Sequence, residues 1–202
     1  MRKKQEQHHP ILWRRKILNV FILLLLFTFS SEGQLKELQL KAMFLEAAIR
    51  FVTWPIPEIN DSTGGIPSTE IDATTFTIGV FKDDPITPYL HKVFDKKSVK
   101  DAPVKFLTIK NPESLSHCDL ILIPDNRKIS VTKIIDKTRH KPILTVSENP
   151  AFLENGVILS ITIEHRKIEC HINKAEADSS GFKISHHLLK KSILFTPKNM
   201  HQ

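Results

Sequence analysis

A chain of 202 residues with two cysteines and 41% apolar side chains is long enough for one sizeable core and too poor in cysteine for a disulfide-built scaffold. It has no internal period of the kind that marks repeat proteins. The net charge of +7 does not indicate nucleic acid: in residues 1–33 six bases stand against two acids, leaving +4 there and +3 for the remainder.

Those bases, Arg2, Lys3, Lys4, Arg14, Arg15 and Lys16, precede the apolar run from Ile17 to Phe29. Its 13 residues suit the hydrophobic part of a signal peptide and fall short of the roughly 20 that span hydrocarbon. Ser31 and Gly33 flank Glu32 at the spacing a signal peptidase reads, so residues 1–33 are expected to be removed before Gln34. An uncleaved amino-terminal anchor is the alternative. No cysteine adjoins this site, which argues against a lipid anchor. Residues 34–202 are then expected to form one domain outside the cytoplasm.

Residues 35–52 read as a helix with two apolar stripes. Leu35, Leu38, Ala42, Leu45, Ile49 and Val52 form one; Leu40, Phe44, Ala47 and Phe51 form another on the far side. Glu37 with Lys41 and Glu46 with Arg50 have the favourable i, i+4 order. Trp54-Pro55 is expected to end the helix. The aliphatic stripe is the core candidate. The aromatic one is left for the closing helix (Ile184, Leu188), for a partner, or for a second copy, and covering by the closing helix is the plainer account. Residues 56–74 are a loop of 19 residues rich in Pro, Gly, Ser, Thr, Asn and Asp.

Strands and helices then alternate. Phe76 to Phe81 reads as a strand, Asp84-Pro85 as the start of a helix reaching Phe94, and Val104 to Ile109 as a second strand. Leu120 to Ile123 is continuously apolar, as a doubly covered strand should be. Ile129 to Thr138 suits a helix and Ile143 to Val146 a fourth strand. Val157 to Ile163 and Lys167 to Ile172 read as a hairpin turning at His165-Arg166, and residues 183–195 as a closing helix. The expected fold is α/β: a three-layer sandwich with a mostly parallel sheet and a C-terminal antiparallel hairpin.

No GxSxG, HExxH, GxGxxG or P-loop occurs, and nothing calls for a cofactor. Ser130-Val-Thr-Lys133 matches SxxK without companion motifs. His165, His171, His186 and His187 lack ligand-pair spacing. No catalytic or metal-binding residue is assigned. In an open parallel sheet a ligand binds beyond the carboxyl ends of the strands. Asp83, Asp84, Asp125, Asn126, Ser147 and Glu148 fall there as a candidate crevice, unless they serve as caps and turn formers. Cys118 and Cys170 are either bridged or two separate buried thiols.

Several segments together resemble the YfiR-like family of bacterial periplasmic proteins. They are Leu40-Lys-Ala-Met-Phe-Leu45, Phe51-Val-Thr-Trp-Pro55, Ile78-Gly-Val-Phe-Lys-Asp-Asp-Pro85, Cys118-Asp-Leu-Ile-Leu-Ile123, Leu144-Thr-Val-Ser147, His171-Ile-Asn173, Gly181-Phe-Lys-Ile-Ser185 and Leu188-Leu189, in order over residues 38–195. The resemblance implies a non-enzymatic periplasmic regulator that binds and represses an inner-membrane signalling protein, a diguanylate cyclase or a sensor kinase. Loop 56–74 is longer than is usual in that family, and Cys170 stands where a different residue is more common. A periplasmic small-molecule binding module using the strand-end crevice is the alternative function.

Overall fold

The structure, a computed structural model, describes residues 33–55, 75–125 and 130–197. The signal-peptide assignment, except for Gly33, and loop 56–74 lie outside them, as does Asn126. The chain divides into two units, Met1–Glu37 and Leu38–Gln202. Of the first, only residues 33–37 are described, and they are helical and exposed.

The second unit contains an eight-stranded sheet, and its sequence sets the layers. Helix α1 (helical residues 33–49) leads into β1 (Val52–Thr53), then β2 (Phe76–Phe81), α2 (Thr87–Phe94), β3 (Ser98–Val99) and β4 (Ala102–Ile109). A 3-10 helix, Pro112–His117, precedes β5 (Leu120–Ile123); α3 (Val131–Thr138) and β6 (Leu144–Ser147) follow. A second 3-10 helix, Pro150–Asn155, opens the final stretch of β7 (Leu159–Glu164), β8 (Lys167–Ile172), α4 (Lys174–Ser179), β9 (Lys183–Ile184), α5 (His186–Leu189) and β10 (Ile193–Leu194).

The sheet order is β10-β8-β7-β6-β5-β2-β4-β3. Strands β4, β2, β5, β6 and β7 run parallel to their neighbours in that stretch, while β7–β8 and β3–β4 pair antiparallel. The hairpin register pairs Glu164 with Lys167, leaving His165 and Arg166 as a two-residue turn. Both take positive φ, 50° and 64°, as a turn that follows strand twist requires.

Alternation along β5 shows why there are three layers. Leu120 and Leu122 point into the larger core with α1 and α2; Ile121 and Ile123 point into a smaller one with α3 and both 3-10 helices. Asp119 fixes the entry to this centre. Its Oδ2 accepts from the Thr77 N–H at 2.8 Å, and its carbonyl accepts from Leu144 N at 2.9 Å and from Trp54 Nε1 at 3.2 Å.

Several sequence expectations need correction. Helical residues stop at 49, and Val52 is a strand residue paired with Ile184. The segment around Trp54 is shaped by a strand from the far end of the chain, ahead of any effect of Pro55. Helix α2 begins at Thr87, not Pro85: Asp84 turns the chain by accepting from Ile86 N at 3.2 Å, and the proline of the first turn is Pro88. Lys41 pairs with Glu148 at 3.1 Å, so the expected Glu37 pairing is replaced by a tertiary one.

The closing helix expected over residues 183–195 is only the four-residue α5, started by Ser185, whose Oγ accepts from His187 N. Strands β9 and β10 flank it because their residues find partners in β1 and β8. Helix α4 was not foreseen. Asn173 starts it by accepting from Glu176 N at 3.1 Å, while its Nδ2 donates to the Leu153 carbonyl at 3.0 Å.

Candidate functional site

Three places carry the residues singled out from sequence. The first is the outer face of α1. Ala42, Leu45, Ala48 and Ile49 are at most 2% exposed and bind the helix to the larger core. On the other side Leu40, Met43 and Phe51 are 42%, 51% and 43% exposed, Ala47 is exposed, and Phe44 is half-buried against the core. Met43 was missed as a member of this face; it lies at i+3 from Leu40 and i−4 from Ala47. Leu188, offered as part of the same surface, is buried in the core, and Ile184 is half-buried in β9. The expected cover from the closing helix is therefore absent: that segment packs on the inner side of α1's exit.

Two of the motifs quoted above meet at that exit. Strand β1 pairs antiparallel with β9, Ser185 N donates to the Phe51 carbonyl at 2.8 Å, and Phe182 stacks edge-on to Trp54 at 5.5 Å. Gly181 has φ +78°, and a Cβ there would sit 2.9 Å from Pro55 Cβ. Any other residue would be strained and would push Pro55 away. Glu46 anchors the polar edge of the helix. Burial raises its pKa, but Arg50 and Lys97 beside it outweigh that and hold the carboxyl below its usual range.

The second place is the strand-end crevice. Asp84 is buried; Oδ1 accepts from Ile86 N, and Oδ2 has no hydrogen-bond partner among the described residues. Burial, with the Glu148 carboxylate nearby, pushes its pKa up. Glu148 is tied to Lys41; Ser147 Oγ accepts from Asn149 N at 3.0 Å, and Asn149 Nδ2 donates to Asp125 Oδ1 at 2.9 Å. Asp83 is exposed, in a turn with φ 62°. Apart from Asp83, these described residues hold turns and one ion pair at the carboxyl ends of β2, β5 and β6.

The third is the cysteine pair. Both thiols are free and buried, Cys118 in the smaller core and Cys170 in the larger, on opposite faces of the sheet. The bridge left open by the sequence is not made, because the sheet itself lies between the two sulfurs. Burial, helped by the Asp119 carboxylate, pushes the Cys118 thiol up to about 12. Burial raises Cys170 despite a hydrogen bond with Ser192. Ser130 caps α3, its Oγ accepting from Lys133 N at 3.4 Å. Among the described residues, no group of His, Cys, Asp and Glu is placed to hold a metal ion, and no helix is long and apolar enough to cross a membrane.

The sequence profile of the DUF4154, YfiR/HmsC-like family matches residues 38–192. No curated protein matches the chain significantly. Among solved structures, a conserved domain protein from Vibrio cholerae O1 biovar El Tor str. N16961 is 13% identical, with a TM-score of 0.47 over 59% of this chain and 54% of its own. The ABC domain from Streptococcus pneumoniae in complex with L-Trp is 16% identical, with a TM-score of 0.45 over 59% and 55%. The chain thus spans about half the length of each, and both scores are too low to bear on function.

Proposed function

The chain belongs to the YfiR/HmsC-like family, and from that membership we propose that it is a periplasmic, non-enzymatic regulator that binds and represses an inner-membrane signalling protein. The partner in this reading is the periplasmic part of a diguanylate cyclase, controlling cyclic di-GMP, or of a sensor kinase.

The observation that carries the reading is the outer face of α1. Leu40 and Met43 stay exposed on a helix whose other side is committed to the core, and Phe51 stays exposed in the turn that follows it. Interfaces favour aromatic and methionine side chains, and a helix held rigidly from behind loses little entropy on docking. Charged Arg50 borders the apolar side chains and supplies part of a polar rim. The strand-end crevice gives less support to a small-molecule module, because most of its described residues are engaged by Ile86, Asn149 and Lys41.

The test replaces Leu40 and Met43 together by Asp. Both are exposed, so the melting temperature should stay near wild type. Capture of the cyclase or kinase from inner-membrane extracts should be lost, and the signalling output should rise as in a deletion strain. A double variant that is captured and represses like wild type refutes the assignment to this face. If the variant instead changes only self-association, the face is a homodimer contact and the partner binds elsewhere.

A further inference from the structure

On the side of the sheet away from α1, a cleft of about 220 Å³ opens between the carboxyl ends of β2 and β4, the 3-10 helix Pro112–His117 and the start of α3. Its floor is apolar. Ile109, Leu115 and Ile134 are buried, and Phe81 closes the strand side. Its rim is cationic: Lys110 follows the last residue of β4, and Lys133 stands in the first turn of α3, both exposed. No acidic side chain occurs among its described lining residues.

We propose that this cleft binds a small organic acid, its apolar body over Ile109, Leu115 and Ile134 and its carboxylate between Lys110 and Lys133. Each part of that ligand answers to an observation. Two ammonium groups without a lining carboxylate select an anion, and charge-assisted hydrogen bonds are stronger than neutral ones. The start of α3 lends its positive dipole end to the same side. The floor selects a ring or branched hydrocarbon, since a fully hydrophilic anion would lose its own hydration over these side chains and find no partners there. The volume is below the roughly 300–1,000 Å³ of drug-sized pockets, which excludes a nucleotide or a folded peptide. Position agrees as well: the cleft lies beyond the carboxyl ends of two parallel strands, where open sheets take ligands.

This gives the Ser130–Lys133 pair a use unrelated to nucleophilic chemistry. Ser130 orders the first turn of α3 by accepting from the Lys133 backbone, and the Lys133 side chain is left to face the ligand head. The site is separate from the α1 face, so neither reading depends on the other.

The experiment titrates the full chain with phenylacetate and 4-methylpentanoate, and with their uncharged amides, following backbone NMR shifts. At least one acid should move the signals of residues 109–115 and 130–134 at millimolar concentration, with its amide about tenfold weaker or worse. Lys110→Glu and Lys133→Glu, both at exposed positions, should each weaken the acid by a similar factor. Leu115→Trp, which fills the floor, should abolish binding; its own melting curve shows whether it is folded. The proposal is overturned if neither acid binds, if the amides bind equally well, or if both charge reversals leave the affinity unchanged.

Discussion

The two faces of the sheet are built on different plans. The face under α1 is closed by aromatic side chains drawn from both ends of the domain: Trp54 lies edge-on to Phe76 at 5.3 Å and to Phe182 at 5.5 Å, with Lys100 above its ring. The buried residues under α3 are aliphatic, Ile, Leu and Val with Cys118, with Phe81, Phe152 and Phe195 only at their margin, and this core stops short of the strand ends, where the cleft begins. One side is sealed and displays its helix outward; the other leaves its own interior accessible. A single sheet can thus support a rigid docking surface on one face and a hollow on the other.

The strongest way to break this contrast is Trp54→Ala. It removes two ring contacts and the bond to Asp119 at the point where β2, β5 and β6 begin, and should cost about 3–5 kcal/mol in urea unfolding. A loss below about 1 kcal/mol would mean the aromatic seal is dispensable. On the other face the sensitive point is Gly79. A Cβ there would come within 2.7 Å of Cys118 Sγ and 2.9 Å of Ile109 Cδ1. Gly79→Ala should therefore destabilise by about 1–3 kcal/mol. Adding Cys118→Ala should recover part of it, a non-additivity read directly from a double-mutant cycle. Strict additivity would show that the sulfur is not the obstacle.

Asp84 sharpens the comparison through pH. Its folded pKa is raised by burial above the ordinary 3.8. Its contribution to stability is then fully present below that ordinary value and is lost as pH rises through the folded pKa. Asp84→Asn keeps an oxygen for Ile86 N and removes the charge, so it should raise the melting temperature at neutral pH and bring little gain near pH 3. A variant less stable at pH 7 would mean the ionised carboxylate has a partner worth more than its burial costs. The smallest effect is expected from reductant. With the thiols on opposite faces, a reducing agent should leave the melting curve unchanged, and both should be alkylated only after denaturation. A shift on reduction would require a bridge and a rearranged sheet.

What could be read from the sequence follows the range of the interactions. Leu120–Ile123 was read to the residue because a strand covered on both faces must be apolar at every position. The hairpin was read because its pairing is local, closing over two residues. The exit of α1 was not, because β1 exists only through β9, and two-residue strands carry no periodicity. The closing segment failed likewise: Ile193 and Leu194 have helix-compatible spacing but take their conformation from His171 and Ile172 in β8. At the candidate sites, the stripe Leu40, Phe44 and Phe51 was visible as a pattern, whereas its exposure depended on where residues 183–189 settle. The cleft under α3 was invisible. Lys110 and Lys133 are unremarkable surface lysines until the fold sets them on one rim.

The pairing of Val52 with Ile184 joins positions 132 apart in the chain. During synthesis, which proceeds amino end first, the inner face of α1 and the indole of Trp54 are finished long before Phe182 can cover them. Until then the segment has no lasting shelter of its own. So wide a separation makes closure a late and slow event. It also couples the two ends: a chain truncated before residue 181 would keep the centre of the sheet yet lose the clasp that fixes the outward face of α1.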